Sequence, residues 1–299
     1  MRVFVTGATG FVGTAVVQEL IGAGHTVVGL ARSDASADAL AAIGVEAVRG
    51  SLDDPEGLAR AAAASDGVIH LAFKHDFENF LANAETDRVA VETIGRALEG
   101  SNKPFVITSG TMMLAFAAPG QVGTEDMSPP AGSPRVASEI AAVEAASRGV
   151  RSSIVRLPPT CHAEGTGGFA PVLIAIAREK GVAGYVGDGH NRWPAVHRPD
   201  AARLFRLALE KGPGGRRYHA VHDEGIPMRR LAEVIGAGLN VPTASIKSED
   251  AAAHFGFLGM FAGLDAPASS KLTRGALGWT PTGLGLIEDL ETGTFFGGK

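Results

Sequence analysis

The chain begins MRVFVTGATGFVGTAVVQEL, and this stretch restricts the fold more than any other. RVFVT is a β-branched and aromatic run, the composition of a strand buried on both faces. Gly7, Gly10 and Gly13 follow at intervals of three, and then a Val- and Ala-rich segment with helical character. The first glycine permits a tight turn, the second lets backbone approach a ligand, and the third lets the helix pack against the strand. The N-terminus of such a helix presents free N–H groups and the positive end of its dipole, which suits an anion. Strand, glycine turn and helix in this order predict a pyrophosphate site for a dinucleotide. A tight turn that binds nothing is the plainer alternative.

The rest of the first half repeats the theme. Strand-like runs RVFVTG, HTVVGLAR, VEAVRG, GVIHLA, PFVITS and RSSIVRL alternate with helix-like segments near 11–23, 35–43, 55–64, 78–99 and 135–148. Alternation of this kind predicts an α/β fold, a doubly wound parallel (Rossmann) sheet covered on both faces. The boundary falls near residue 156, giving a dinucleotide-binding domain over 1–156. A smaller α/β portion over 157–299 faces the substrate and packs onto the first. The stretch TSGTMMLAFAAPGQVGTEDMSPPAGSP is a long link between the fifth strand and the next helix, and links of that length in compact domains are usually functional.

Composition removes several classes of function. The net charge of −5, without long like-charge runs, argues against nucleic acid as a partner. The single cysteine, Cys161, rules out an internal disulfide and a cysteine-based zinc cluster. No acidic or histidine pattern suggests a metal. Met1 leads directly into strand-like sequence and no apolar run reaches about 18 residues, so neither a signal peptide nor a membrane span is expected. The expectation is a cytoplasmic protein whose partner is a small molecule.

The second strand speaks to the choice of cofactor. Proteins that prefer NAD usually end it with an acidic residue that bonds the ribose 2′-hydroxyl. Here Ala31 stands there, followed by Arg32 and Ser33. Arg32 can pair with a 2′-phosphate and stack on adenine, and Ser33 can add a hydrogen bond. Asp34 falls a residue or two late for the ribose and would sit awkwardly beside a phosphate. The expected cofactor is NADP(H), and a solvated arginine in a turn is the alternative.

With VTGATGFVG, HLAF, TSGT and the later WPAVHRPDAARL and SSKLTRGALGW, the chain resembles the short-chain dehydrogenase/reductase superfamily, in its extended or atypical epimerase/dehydratase branch. The resemblance implies that Thr9, Gly10, Phe11 and Val12 contact pyrophosphate, with Gly7 and Gly13 shaping the loop. It implies that Ser51 and Leu52 border adenine and that Leu71, Ala72 and Phe73 line the ribose–nicotinamide path. Pro158, Pro159 and Thr160 would cradle the nicotinamide amide, and Ser109 matches the catalytic serine. The family also places a four-helix dimer contact on helices like 78–99 and 135–148, so a homodimer is possible.

One family feature is missing. The superfamily draws its proton from a tyrosine followed by lysine four places on. This chain has two tyrosines, Tyr185 and Tyr218, and neither is followed by that lysine. Arg135 and Glu139 stand in those places. Ser133 and Pro134 read as N-cap and first helical residue, which would put Arg135 and Glu139 on one face at i, i+4. They are then either a surface ion pair or a device in which Glu139 fixes Arg135 while Arg135 orients a substrate oxygen.

Other residues could replace the tyrosine. Ser109 and Thr111 could bond a substrate oxygen and relay a proton through water. His162 lies just past the sixth strand. Lys74 and His75 follow the fourth strand, Met113 lies in the long link, and Trp193 and His197 lie in the second portion; these are substrate-contact candidates. Trp193 and His197 also read as core residues, Lys271 as a solvated helix residue, and Cys161 as a small apolar filler. Two functions stand against each other: an oxidoreductase passing hydride to a small carbonyl or quinone-type metabolite, and an NADP(H)-binding sensor without turnover. A nucleotide-sugar epimerase or dehydratase is a third and weaker reading, because that chemistry leans hardest on the tyrosine.

Overall fold

A computed structural model describes residues 1–74, 76, 79–130, 132–164 and 167–297. Five strand–helix steps and a sixth strand run through the first half: β1 (Arg2–Thr6), α1 (Phe11–Gly22), β2 (Thr26–Ala31), α2 (Asp34–Ala41), β3 (Glu46–Arg49), α3 (Pro55–Ala63), β4 (Gly67–His70), α4 (Phe80–Ala97), β5 (Pro104–Gly110), α5 (Leu114–Ala117), α6 (Val136–Ser147) and β6 (Arg151–Leu157). The second half holds β7 (Thr160–His162), α7 (Phe169–Lys180), β8 (Ala183–Val186), β9 (Arg192–His197), α8 (Arg198–Lys211), β10 (Arg216–His219), β11 (Asp223–Pro227), α9 (Met228–Leu239) and β12 (Thr243–Ile246). The last helices are α10 (Ala251–Phe255), α11 (Gly259–Ala262), α12 (Lys271–Leu277) and α13 (Leu286–Thr292).

The central sheet is parallel, in the order β10-β6-β5-β4-β1-β2-β3. Strand order reverses between β1 and β4, and a doubly wound sheet binds its ligand at the carboxyl edge beside such a reversal. Alternation along the strands divides the core. Val3 and Val5 face a cluster with Val16, Leu20 and Phe205 from α1 and α8, while Phe4 faces Leu58, Ile94 and Ala142 from α3, α4 and α6.

The expected division at residue 156 is not a clean one. β10 completes the sheet by pairing with β6, and α8 packs against α1 on one face. The chain therefore leaves the sheet after β6 and returns to it. It leaves again after β10, and the two excursions together build a second core around α7, α9 and α10, with a small sheet in the order β11-β9-β7 and the parallel pair β12-β8. The seventh strand escapes a reading of the sequence because RRYH is short and its flanks are charged and glycine-rich. Among the described residues no helix is long and apolar enough to cross a membrane.

Candidate functional site

The glycine loop is built as its spacing predicts. Gly7 has φ +69°, and a Cβ there would stand 2.7 Å from the backbone nitrogen of Ala72. A Cβ on Gly13 would stand 1.9 Å from the Gly7 carbonyl, so the third glycine is what seats α1 on the loop. The Gly10 N–H donates to Gly7 O at 2.9 Å, closing the turn. Gly10 caps α1 with no side-chain bond, and the first turn of α1 holds no acidic residue. Its leading N–H groups thus face the sheet edge without an internal anion, which fits a pyrophosphate. Phe11 is held in place by the Arg198 guanidinium 4.6 Å above its ring and by Gly167, where a Cβ would stand 1.9 Å from the ring.

At the end of β2, Arg32 is exposed. Ser33 is the N-cap of α2, its hydroxyl accepting from Ser36 N at 3.2 Å. Asp34, the residue that would repel a 2′-phosphate, is drawn to Arg49 on the neighbouring strand at 3.0 Å. Beyond β3, Leu52 is buried and the Ser51 hydroxyl accepts from Asp53 N. Lys74, a substrate-contact candidate, is engaged instead by Asp53 at 2.7 and 2.9 Å, a clasp between the loops that follow β3 and β4. His75 lies outside the described residues.

The pairing of Arg135 with Glu139 does not form. Helix α6 begins at Val136, later than Ser133 and Pro134 suggest, and Arg135 is itself the N-cap. Its guanidinium lies over the Phe73 ring at 4.2 Å, donates to Thr108 O at 2.7 Å and stands 3.4 Å from Asp87. Arg135 Nε is buried with no partner among the described residues. Asp87, on α4, is the true anchor of Arg135 and ends a directed chain of bonds. Ala72 N donates to Thr6 Oγ1, so the Thr6 hydroxyl is free to give its proton to His70 Nδ1 at 2.8 Å. His70 then carries its own proton on Nε2 and donates it to Asp87 Oδ1 at 3.2 Å. Ser138 donates to the other oxygen at 2.5 Å. Burial alone would raise the Asp87 carboxyl, but Arg135, His70 and Ser138 outweigh it and hold the group below its ordinary range.

Glu139 turns the other way and is buried against Arg156 of β6, accepting from Nε at 2.8 Å and from a terminal nitrogen at 2.6 Å. Arg217 adds a third bond at 3.2 Å. Here too burial pushes the carboxyl up, and the Arg156 bonds and charge, with Ser109 and Arg217, pull it below its ordinary value. The pair is thus neither at the surface nor turned toward Arg135. His219 Nδ1 donates to Ser269 O at 2.8 Å, so its Nε2 accepts from Arg156 at 3.3 Å. Burial and the facing Arg156 charge hold that imidazole neutral, its pKa pushed down to about 3. The long link closes over this network: Arg156 donates to Met127 O, and the buried Glu125 accepts from Thr273 N and Oγ1 at 2.7 and 2.6 Å.

The hydroxyls of Ser109 and Thr111 close β5. Both are buried, and neither has a partner in good hydrogen-bonding geometry among the described residues, although Ser109 lies beside Glu139. Of the residues expected to cradle nicotinamide, Pro159 O accepts from Phe169 N at 3.1 Å, and the Thr160 hydroxyl is spent on Pro194 O. Met113 is half-buried. Trp193 is enclosed in the second core and donates to Leu264 O, a core plug that faces no open site. His162 is fully buried and bonded through Nδ1 to Asp289 of α13 at 2.6 Å; burial lowers its pKa and Asp289 opposes that. His197 pairs in register with His162, ring centroids 5.5 Å apart. Cys161 is buried, and its thiol is pushed up to about 12 by burial. Tyr218 is buried on β10 and Tyr185 lies on β8 under Arg229, so neither tyrosine occupies the place that Arg135 fills. No group of three or more His, Cys, Asp or Glu residues that could hold a metal occurs among the described residues.

A parallel sheet, a glycine cradle at its strand-order reversal and an open helix N-terminus define a dinucleotide-binding protein of the short-chain dehydrogenase/reductase type. The model of the NAD dependent epimerase/dehydratase family matches residues 3–220, and the chain belongs to that family. An uncharacterized protein of Schizosaccharomyces pombe is 47% identical over 297 residues, covering 99% of this chain and 100% of its own. A protein of Stenotrophomonas maltophilia named 2-alkyl-3-oxoalkanoate reductase is 29% identical over 259 residues, covering 81% of this chain and 77% of its own. Among solved structures, the dTDP-glucose 4,6-dehydratase DesIV of Streptomyces venezuelae, with NAD bound, superposes with a TM-score of 0.78 at 20% identity. That likeness covers 99% of this chain and 96% of DesIV, and it speaks for the fold.

Proposed function

We propose that the chain is an NADP(H)-dependent oxidoreductase, working as a reductase on a small carbonyl or quinone-type metabolite. The observation that carries this reading is the two buried hydroxyls at the carboxyl end of β5, beside the strand-order reversal: Thr111, without a partner among the described residues, and Ser109, set beside the Glu139 carboxylate but with no bond of good geometry there. Buried polar groups are ordinarily bonded, and a substrate oxygen would satisfy both. The reductase-named relative lends support from sequence. NADP(H) would be held by the Gly7–Gly13 loop and the N-terminus of α1, with Arg32 on the 2′-phosphate and Asp34 kept away by Arg49. When bound, the cofactor supplies the hydride.

The protein's own part is to orient and to stabilise charge. Ser109 and Thr111 donate to the carbonyl oxygen, and Arg135, locked by Asp87 and Thr108 with Nε unpartnered, sets a positive charge where negative charge develops. Arginine keeps its proton at neutral pH, so protonation of the product is left to water relayed by the hydroxyls. A product with an acidic hydroxyl needs the least help. We also propose a homodimer through α4 and α6, which expose Leu81 and Ile140. The sensor reading draws on the replacement of the family lysine by Glu139, whose carboxylate is used up by Arg156.

One variant tests the cofactor and a second the chemistry. Arg32→Ala should weaken NADPH binding at least tenfold more than NADH binding, and equal losses would remove the NADP(H) assignment. Ser109→Ala should lower NADPH oxidation with a quinone at least tenfold while NADPH still binds. Binding of NADPH with no turnover on any carbonyl or quinone would leave the sensor.

A further inference from the structure

The second portion carries an aromatic cluster tied to the segment that follows β6. Phe169 opens α7, directly after Gly168, and its backbone nitrogen bonds the Pro159 carbonyl at 3.1 Å, next to the segment that the family uses for nicotinamide. Around the Phe169 ring stand Trp193 at 5.9 Å, Phe257 at 6.1 Å and Phe261, stacked, at 6.4 Å. Met112, three residues past Ser109, packs against the same core. The cluster is not sealed: Phe257 is 40% exposed and Met260, beside Phe261, is 75% exposed. Phe257 and Met260 thus keep apolar surface exposed at the rim of the cluster, and exposed apolar surface of this kind suits an apolar ligand.

Charge on the same portion points the same way. A sugar nucleotide brings a diphosphate, which needs free arginines or lysines. Here Arg192 is bound to Asp265 at 2.9 and 3.1 Å, Arg229 to Glu233 at 3.1 Å, and Arg230 to Glu291 at 2.8 Å. Arg198, nearer the sheet, lies over Phe11. Each of these cations has a partner already.

We infer that the wall formed by Met112, Phe169, Phe257 and Phe261 is the substrate site, and that it takes a planar apolar carbonyl compound, an aromatic ketone or a quinone, rather than a sugar nucleotide. The inference rests on the oxidoreductase reading and narrows its substrate. The aromatic rings hold the flat body of the substrate by offset or edge contacts, leaving its carbonyl oxygen toward Ser109 and Thr111.

The test is equilibrium dialysis of the full-length protein, with and without NADPH, against 2-acetonaphthone and against UDP-glucose, with NADPH oxidation followed separately. The ketone is expected to bind at least tenfold more tightly than UDP-glucose. Phe257→Ala should weaken the ketone at least fivefold while NADPH affinity holds. Should that variant misfold, Met260→Ser on the exposed rim should weaken the ketone at least twofold. Tighter binding of UDP-glucose, or ketone affinity unmoved in both variants, overturns the inference. Ketone binding without NADPH oxidation keeps the wall and removes the reductase reading. Reduction of NADP+ with UDP-glucose, without NADPH oxidation by the ketone, keeps the enzyme and removes the wall.

Discussion

Glu139→Gln removes the negative member of a fully buried ion pair and leaves Arg156 charged at zero exposure, with neutral partners alone among the described residues: the new amide, Met127 O and His219. Breaking one partner of such a pair costs about 3–5 kcal/mol, most of it the burial of the charge left behind. For a chain of this size about 2 °C of Tm follows each kcal/mol, so thermal unfolding should move down by roughly 6–10 °C. The double variant Glu139→Gln with Arg156→Met, which buries no charge, should recover most of that loss. The sign with pH is fixed by the direction of the shift. Glu139 is held below its ordinary value, so its contribution is complete above about pH 4.3, the unfolded value, and fades as pH falls through the folded value. Calorimetry of wild type and variant from pH 8 to pH 3 should show a constant gap down to about pH 5 that closes in acid. A gap under about 2 °C at neutral pH, or one that widens in acid, would refute the buried pair.

Two further tests bear on the loop and the thiol. Gly13→Val drives a side chain into the Gly7 carbonyl, so it should abolish NADPH binding, whereas Gly22→Ala, where a Cβ meets nothing within 4 Å, should bind normally; matched behaviour in a fluorescence titration would mean that the loop is not the site. Cys161, buried and with its thiol near 12, should resist a disulfide reagent at pH 8 and react at once in guanidinium. Rapid labelling of the native chain would contradict its burial.

Much of the architecture was legible because it rests on local pattern. Each of the six strand runs and five helical runs in the first half returns as an element, since β-branched clusters and glycine turns act over a few residues. The site was legible only where backbone makes it, at Gly7 and Gly13. Side-chain partnership was not. Sequence spacing pairs Arg135 with Glu139, but Arg135 caps the helix and is held by Asp87, while Glu139 points to Arg156 on β6. His70, Asp87, Glu125, Arg156 and His219 were missed as members of these networks. The signal available for Arg156 and His70 was a charge and an imidazole inside strands otherwise apolar, residues that are buried only when paired. For Asp87 and Glu125 the partners lie far away in sequence, and nothing local announces them.

The return of the chain to the sheet also sets an order of assembly. Arg216 pairs with Ser153, so the outer edge of β6 lies bare until residues 158–215 and β10 itself have left the ribosome. An uncovered parallel edge is a template for pairing with another chain. A gene cut after residue 157 would therefore yield not a small cofactor-binding module but a sticky fragment.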